Sequence, residues 1–140
     1  MPTDDQGLAP AFARLHREIS ALYTSIARRL ELTSQQAELL CLLGADRPPS
    51  FGELAATLGC DKTNVTGMVD RLERRGLLAR ETDPGDRRVT RAVPTEQGSA
   101  VRHKFRAELE HELARRLPGI DRTRLIGLVT ATATALAEHR

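Results

Sequence analysis

The chain has 140 residues and a mass of 15.4 kDa, enough for one packed core and too little for two independent ones. A hydrophobic fraction of 40% and a charged fraction of 29% are those of a water-soluble globular protein, and no apolar run approaches the roughly 20 residues that cross a bilayer. The net charge of +2 is too small to point to a polyanion by itself. Its placement says more: between Asp61 and Arg106 eleven Lys and Arg stand against seven Asp and Glu, a local balance of +4, and the remainder carries −2.

The acidic opening MPTDDQGLAP has no charged-then-apolar leader pattern, so a cytoplasmic protein is expected, with Cys41 and Cys60 as thiols. Residues 1–8 read as a flexible tail. From Ala9, apolar residues at Phe12, Leu15, Ile19, Leu22, Ile26 and Leu30 step by three and four, which predicts one long amphipathic helix within a segment 9–32. Thr33-Ser34-Gln35-Gln36 fits a capping box and opens a helix that Ala37, Leu39, Leu40, Leu42 and Leu43 bury on most sides, with Cys41 in the core among them. Pro48-Pro49 breaks the chain; Ser50-Phe51-Gly52-Glu53 is a second capping box, and Gly59 stops the short helix it opens.

Asp61 then caps a helix whose buried stripe is Val65, Met68, Val69 and Leu72 and whose stop is Gly76. Leu77 to Thr82 and Arg88 to Val93 suit strands. Between them Asp83-Pro84-Gly85-Asp86 has Pro and Gly where a type II turn takes them. Thr95 caps a long helix with Val101, Phe105, Leu109, Leu113 and Leu117 at every fourth position. After Pro118-Gly119, a last helix from Asp121 carries Leu125, Leu128, Val129, Thr132 and Leu136 on one face. The expected fold is mainly α with a small β-wing: a winged helix-turn-helix lobe over residues 33–94, and a helical dimerisation region from the 9–32 segment and residues 95–140. The terminal stripes are too extensive for the small lobe to cover, so a two-fold homodimer through them is expected.

A recognition helix reaches base edges with short polar side chains in its first turns. Lys62, Thr63, Asn64 and Thr66 meet that need, since Asn pairs with adenine and Lys with guanine or phosphate. A solvated first turn explains Thr63 and Asn64 equally well if they are taken alone; the hairpin beside them favours double-stranded DNA as the partner. Arg87 and Arg88 follow the hairpin turn, placed to enter a narrow, electronegative minor groove with Asp86 orienting the arginine, the alternative being an ordinary surface salt bridge. Arg71, Arg74 and Arg75 read as phosphate clamps, although Asp70 and Glu73 offer some of them partners at helical spacing.

The residues Leu54-Ala55, Leu58-Gly59, Val65-Thr66, Val69-Asp70-Arg71-Leu72-Glu73 and Gly76-Leu77, followed by Asp83-Pro84, Asp86-Arg87-Arg88, Thr95 and Gly98, resemble the MarR family of transcription regulators. The similarity covers nearly the whole chain, and the DPxDRR hairpin is its most specific part. The resemblance implies a homodimeric repressor of a pseudo-palindromic operator. In many members, a small phenolic or aromatic effector between the dimerisation helices and the DNA-binding lobe releases the DNA. By position, residues 62–67 would read the major groove and Arg87 or Arg88 would be the minor-groove arginine. Some members carry a long polar side chain where this chain has Gly67, which shifts base readout toward Thr63, Asn64 and DNA shape.

Sensing chemistry is less sharply written. Peroxide-sensing members use a cysteine near the start of the first long helix, and Met1 to Leu40 contains none. Cys60, beside the recognition helix, leaves a redox-responsive regulator as an alternative. Zinc-sensing relatives cluster histidines with carboxylates; Glu108, His111 and Glu112 share a helical face here without a second histidine, so neither metal nor cofactor is expected. His16 and Tyr23, with Arg17 or Arg14 nearby, are the candidates to meet an aromatic acid, and surface or interface roles account for them equally. No GxSxG, HExxH, P-loop or dinucleotide fingerprint supports an enzyme. A winged helix used for protein assembly is the other alternative, against which the arginines Arg87, Arg88 and Arg91 argue.

Overall fold

A computed structural model describes residues 6–44 and 46–140, so most of the expected N-terminal tail lies outside the described residues. The element order is α1 (Leu8–Arg29), α2 (Ser34–Leu42), α3 (Phe51–Leu58), α4 (Lys62–Arg74), β1 (Leu78–Asp83), β2 (Asp86–Pro94), α5 (Glu96–Arg116) and α6 (Arg122–Glu138). The mainly helical fold with a two-stranded antiparallel wing is the expected one. Two compact units divide within α5, one running through Leu109 and one from Glu110.

Local signals set the helix boundaries of the first unit. Thr33 and Gln36 exchange backbone and side-chain hydrogen bonds at 3.1 and 3.0 Å, and Ser50 and Glu53 do the same at 3.2 and 3.3 Å, so both capping boxes form. The Asp61 carboxylate accepts from the Asn64 N–H at 2.8 Å and starts α4. Gly59 and Gly76 take left-handed φ values of 68° and 73°, which end α3 and α4 in a conformation glycine adopts without steric cost.

The core of this unit joins Leu22, Ile26 and Ala27 of α1, Leu39 and Leu40 of α2, Leu54 of α3, and Val65, Val69 and Leu72 of α4. Leu78 and Ala92 continue it under the wing, and Phe105 of α5 closes it. Only the second half of the α1 stripe is buried: Phe12 and Leu15 remain 44% and 52% exposed. Cys41 is half-buried rather than a core residue, because it sits one position off the Leu39–Leu40 face of α2. The Arg102 guanidinium, on α5, donates to the Cys41 carbonyl at 3.3 Å. Burial pushes the Cys41 thiol pKa up, and Arg102 and Arg106 oppose that shift.

The hairpin departs from expectation at its tip. Gly85 does not adopt the left-handed φ that a type II turn requires at that position. The Asp83 carboxylate instead accepts the Gly85 N–H at 2.7 Å, and this Asx-type bond shapes the turn. The ladder runs from Leu78 opposite Pro94 to Thr82 opposite Thr90, then jumps to Asp83 opposite Asp86. Arg87, Arg88 and Val89 are thereby left outside the pairing as a bulge on β2, which re-aims side chains away from a regular ladder.

In the second unit, Asp121 caps α6 by accepting the Arg124 N–H at 3.1 Å. The α6 helix buries no residue, and Ile126, Leu128, Val129 and Leu136 are all more than half exposed. Glu112 pairs with Arg115 and Arg116 at 2.8 and 3.0 Å, and Glu110 pairs with Arg122.

Candidate nucleic-acid interface

The first turn of α4 is bare. Lys62, Thr63 and Asn64 are exposed, and the α4 stripe beneath them, Val65, Met68, Val69 and Leu72, is buried against the lobe. Thr66 is half-buried and its hydroxyl donates to the Lys62 carbonyl at 3.0 Å, which leaves its oxygen as an acceptor. A Cβ built on Gly67 would meet nothing within 4 Å, so the glycine is not demanded by packing. Gly67→Ala is accordingly expected to stabilise the free protein by about 0.5–1 kcal/mol through helix propensity. A higher midpoint in urea with an unchanged slope would bear this out, and a lower midpoint would show a hidden constraint on the helix.

Arginines divide into two sets that the sequence does not separate. Arg71 is exposed, with no ion-pair partner among the described residues; Arg74 donates only to the Asp70 carbonyl, at 3.3 Å. At the bulge Arg87 is exposed, and the Arg88 side chain is 91% exposed while its Nε reaches Asp86 Oδ1 at 3.2 Å. Asp86 therefore orients Arg88 as expected and leaves most of its guanidinium in solvent.

Three other arginines hold the scaffold. Arg91, expected on the projecting wing, is buried: it bonds Asp83 at 2.6 and 2.8 Å, the Pro48 carbonyl at 2.7 Å and Glu53 at 3.5 Å. Its guanidinium thus anchors the wing turn to the segment leading into α3, where Ser50 and Arg91 also form an isolated β-bridge. The Gly85 N–H first and Arg91 second hold the Asp83 carboxyl below the usual carboxylate range, so this anchor stays charged at neutral pH. Arg75, expected to clamp phosphate, instead donates to the Glu31 carbonyl at 2.5 Å and the Leu30 carbonyl at 3.3 Å.

Arg80 was not foreseen. From β1 it pairs with Asp70 and, at 2.6 Å, with Glu73, both on α4, and its guanidinium carbon lies 5.8 Å from the Phe51 ring centroid. The two acids face the hairpin rather than the arginines of their own helix, because β1 turns back along α4. The charge pattern, two acids on a helix followed by an arginine on the next strand, was the available signal.

The effector candidates are not gathered. His16 and Arg17 are exposed on α1, whereas Tyr23 is half-buried with its ring edge-on to Phe105, centroids 5.9 Å apart. Burial, reinforced by Glu38 and Cys41, pushes the Tyr23 hydroxyl pKa up, so it is a neutral donor at physiological pH. A shallow groove along the first turns of α1 includes Arg14 and Arg17 but neither His16 nor Tyr23. Cys60 is half-buried beside Asp61. Glu108 faces Arg29 at 3.7 Å and Glu112 its two arginines, and no metal-binding cluster of His, Cys, Asp and Glu is found among the described residues. No helix among them is long and apolar enough to cross a membrane.

A helix-turn-helix with a bare, polar leading turn, flanked by a hairpin whose bulge projects two arginines, defines a winged helix-turn-helix protein. The sequence profile of the MarR family matches residues 32–90. Over 88 residues it is 34% identical to the HTH-type transcriptional repressor NicR of Pseudomonas putida, covering 63% of this chain and 56% of NicR. The chain spans about half the length of the curated relatives it matches. Among solved structures it is similar to CouR of Rhodococcus jostii bound to p-coumaroyl-CoA, with a TM-score of 0.86, 25% identity and coverage of 98% and 96% of the two chains. It is also similar to the transcriptional repressor CouR bound to a 23-mer DNA duplex, with a TM-score of 0.78, 27% identity and coverage of 97% and 98%.

Proposed function

We propose that this protein is a sequence-specific, double-stranded-DNA-binding transcriptional repressor, a homodimer on a pseudo-palindromic operator, acting in the cytoplasm. The observation that carries the reading is the division of the arginines. Arg75, Arg80 and Arg91 are engaged by the scaffold, while Arg71, Arg87 and Arg88 stand in solvent. A projecting pair of arginines with no structural task is what phosphate and minor-groove contact needs. The NicR repressor and DNA-bound CouR support the same reading.

The dimer follows from surface that the lobe leaves uncovered. Leu8, Phe12 and Leu15 on α1, and Ile126, Leu128, Val129 and Leu136 on α6, are apolar side chains exposed to solvent in the single chain. A second copy offers the matching surface at no cost in new sequence. Release by a small aromatic ligand is supported by CouR's binding of p-coumaroyl-CoA, with Tyr23, His16 and Arg17 as its candidate contacts.

Selection from a random duplex library at fixed salt tests the reading. A palindrome with half-sites about one helical turn apart is expected, and recovery of unrelated sequences alone would instead favour an assembly module. On the selected duplex, Asn64→Ala is expected to cost about 1–3 kcal/mol, with little change on random DNA. Equal losses on both, read by titration, would remove Asn64 from base recognition.

A further inference from the structure

The end of α1 and the end of α4 are built alike and are joined by one side chain. At the α1 end the Leu32 N–H donates to the Ala27 carbonyl at 2.9 Å and the Glu31 N–H to the Arg28 carbonyl at 3.0 Å. At the α4 end the Leu77 N–H donates to the Leu72 carbonyl at 2.9 Å and the Gly76 N–H to the Glu73 carbonyl at 2.9 Å. Each stop needs a left-handed residue; α4 uses Gly76, but α1 uses Glu31, with φ 59° and the only non-glycine of positive φ among the described residues. A residue with a side chain holds that conformation where its surroundings over-determine it. The surroundings here are Arg75, the C-cap of α4, whose two terminal nitrogens donate to the Glu31 and Leu30 carbonyls. Its positive charge also lies at the negative end of the α1 dipole.

We infer that Arg75 is a positioning residue for DNA recognition: its tie to Leu30 and Glu31 sets the angle of α4 against α1. Through α1 it sets the separation of the two recognition helices. The inference rests on the proposed DNA-binding dimer, in which α1 is part of the interface. Lys62 lies at the other end of α4, about 20 Å from Arg75 along the helix axis, so a tilt of about 5° at the tied end moves the reading end by about 2 Å. That displacement is a sizeable fraction of the rise of one base pair. A change in the tie is therefore read as a change in tolerated half-site spacing, with each half-site still recognised by an intact α4. A phosphate clamp, the role its position in sequence suggested, would need the same guanidinium fork that the two carbonyls occupy.

The experiment compares wild-type dimer, Arg75→Ala and Arg75→Lys on duplexes that share the selected half-site and differ in spacer length by single base pairs. Affinities are measured across salt concentrations. Wild type is expected to favour one spacer sharply. Both variants are expected to keep the half-site sequence and the salt slope, and to lose about tenfold of the spacer preference, the equivalent of one hydrogen bond to a charged group. Lysine keeps the charge but not the two-armed fork, so it separates the tie from a phosphate contact. A uniform loss of affinity in Arg75→Ala with a slope shallower by about 0.9, restored by Arg75→Lys, would assign Arg75 to phosphate and overturn the inference. So would an unchanged spacer profile in both variants. A wild type that selects no paired half-sites overturns the proposed function itself, and is told apart because its own spacer profile is then flat. Amide exchange of Glu31 and Leu32 in the free protein, expected to speed up in both variants, tests the joint without DNA; equal rates in wild type and variants would overturn it.

Discussion

Replacing Arg87 and Arg88 together with alanine is expected to weaken operator binding by about a hundredfold or more while leaving the fold and the dimer intact. Two charge-assisted contacts at about 1.5–3 kcal/mol each account for the size of the loss. Because each lost phosphate contact releases one fewer counterion, the logarithmic salt slope should also become shallower by about two if both arginines lie on the backbone. If one of them lies in the minor groove, the loss should instead be larger on operators with A/T-rich flanks. The fold is expected to survive because Arg87 has no ion-pair partner among the described residues and Arg88 has only Asp86. Exposed substitutions of that kind change stability by no more than about 0.5 kcal/mol. Affinity equal to wild type across salt concentrations would remove the wing from the mechanism.

The second large effect concerns the joint between the wing and α5. Gly98 is buried in the first turn of α5, and a Cβ built there would sit 1.7 Å from the Leu77 carbonyl oxygen and 2.7 Å from its carbon. Those atoms are backbone, held by the Leu77 N–H bond to Leu72 and by the Thr95 N–H on the Leu77 carbonyl at 3.1 Å. Thr95 adds two further ties, donating from its hydroxyl to the Gly76 carbonyl at 2.5 Å and accepting from the Gly98 N–H at 3.1 Å. Nothing within this cluster yields as a side-chain tip would. Gly98→Ala is therefore expected to cost about 3 kcal/mol or more, the upper range of overpacking effects. The melting temperature should fall by on the order of 10 °C, measured at equal protein concentration because dimerisation contributes to apparent stability. An unchanged melting temperature would mean that α5 does not begin against Leu77. Gly67→Ala, with the opposite sign expected, is the internal control: the two glycines differ in what a methyl group would meet, not in helical conformation.

Legible in the sequence were the helix caps, the helix stops and the buried stripe of α4, each set by residues within about one turn of one another. The Thr33–Gln36 and Ser50–Glu53 boxes, the Asp61, Thr95 and Asp121 caps and the Gly59 and Gly76 stops all formed where they were expected. Their hydrogen bonds close within one turn and need no partner from elsewhere. The α4 stripe was legible for the same reason: helical period alone decides which of Val65, Met68, Val69 and Leu72 share a face. Even the uncovered stripes of α1 and α6 follow from counting apolar faces against the size of one lobe.

Tertiary structure alone decided which arginines are structural. Arg75 and Arg91 look in the sequence like Arg74 and Arg88, but their guanidinium groups meet Glu31 and Pro48 carbonyls more than forty positions away. Arg80 took the acids that helical spacing had offered to the α4 arginines, because β1 returns along α4 and brings a third cation within reach. The hairpin tip shows the same limit at shorter range. Asp83-Pro84-Gly85-Asp86 is compatible with more than one turn, and the Arg91 anchor on Asp83 with the register jump to Asp86 selected the bulged form that carries Arg87 and Arg88 outward. A long, flexible cation has no conformation of its own. Its partner is whichever anionic or carbonyl oxygen the packed backbone brings within about 3 Å, and that approach is a property of the assembled fold.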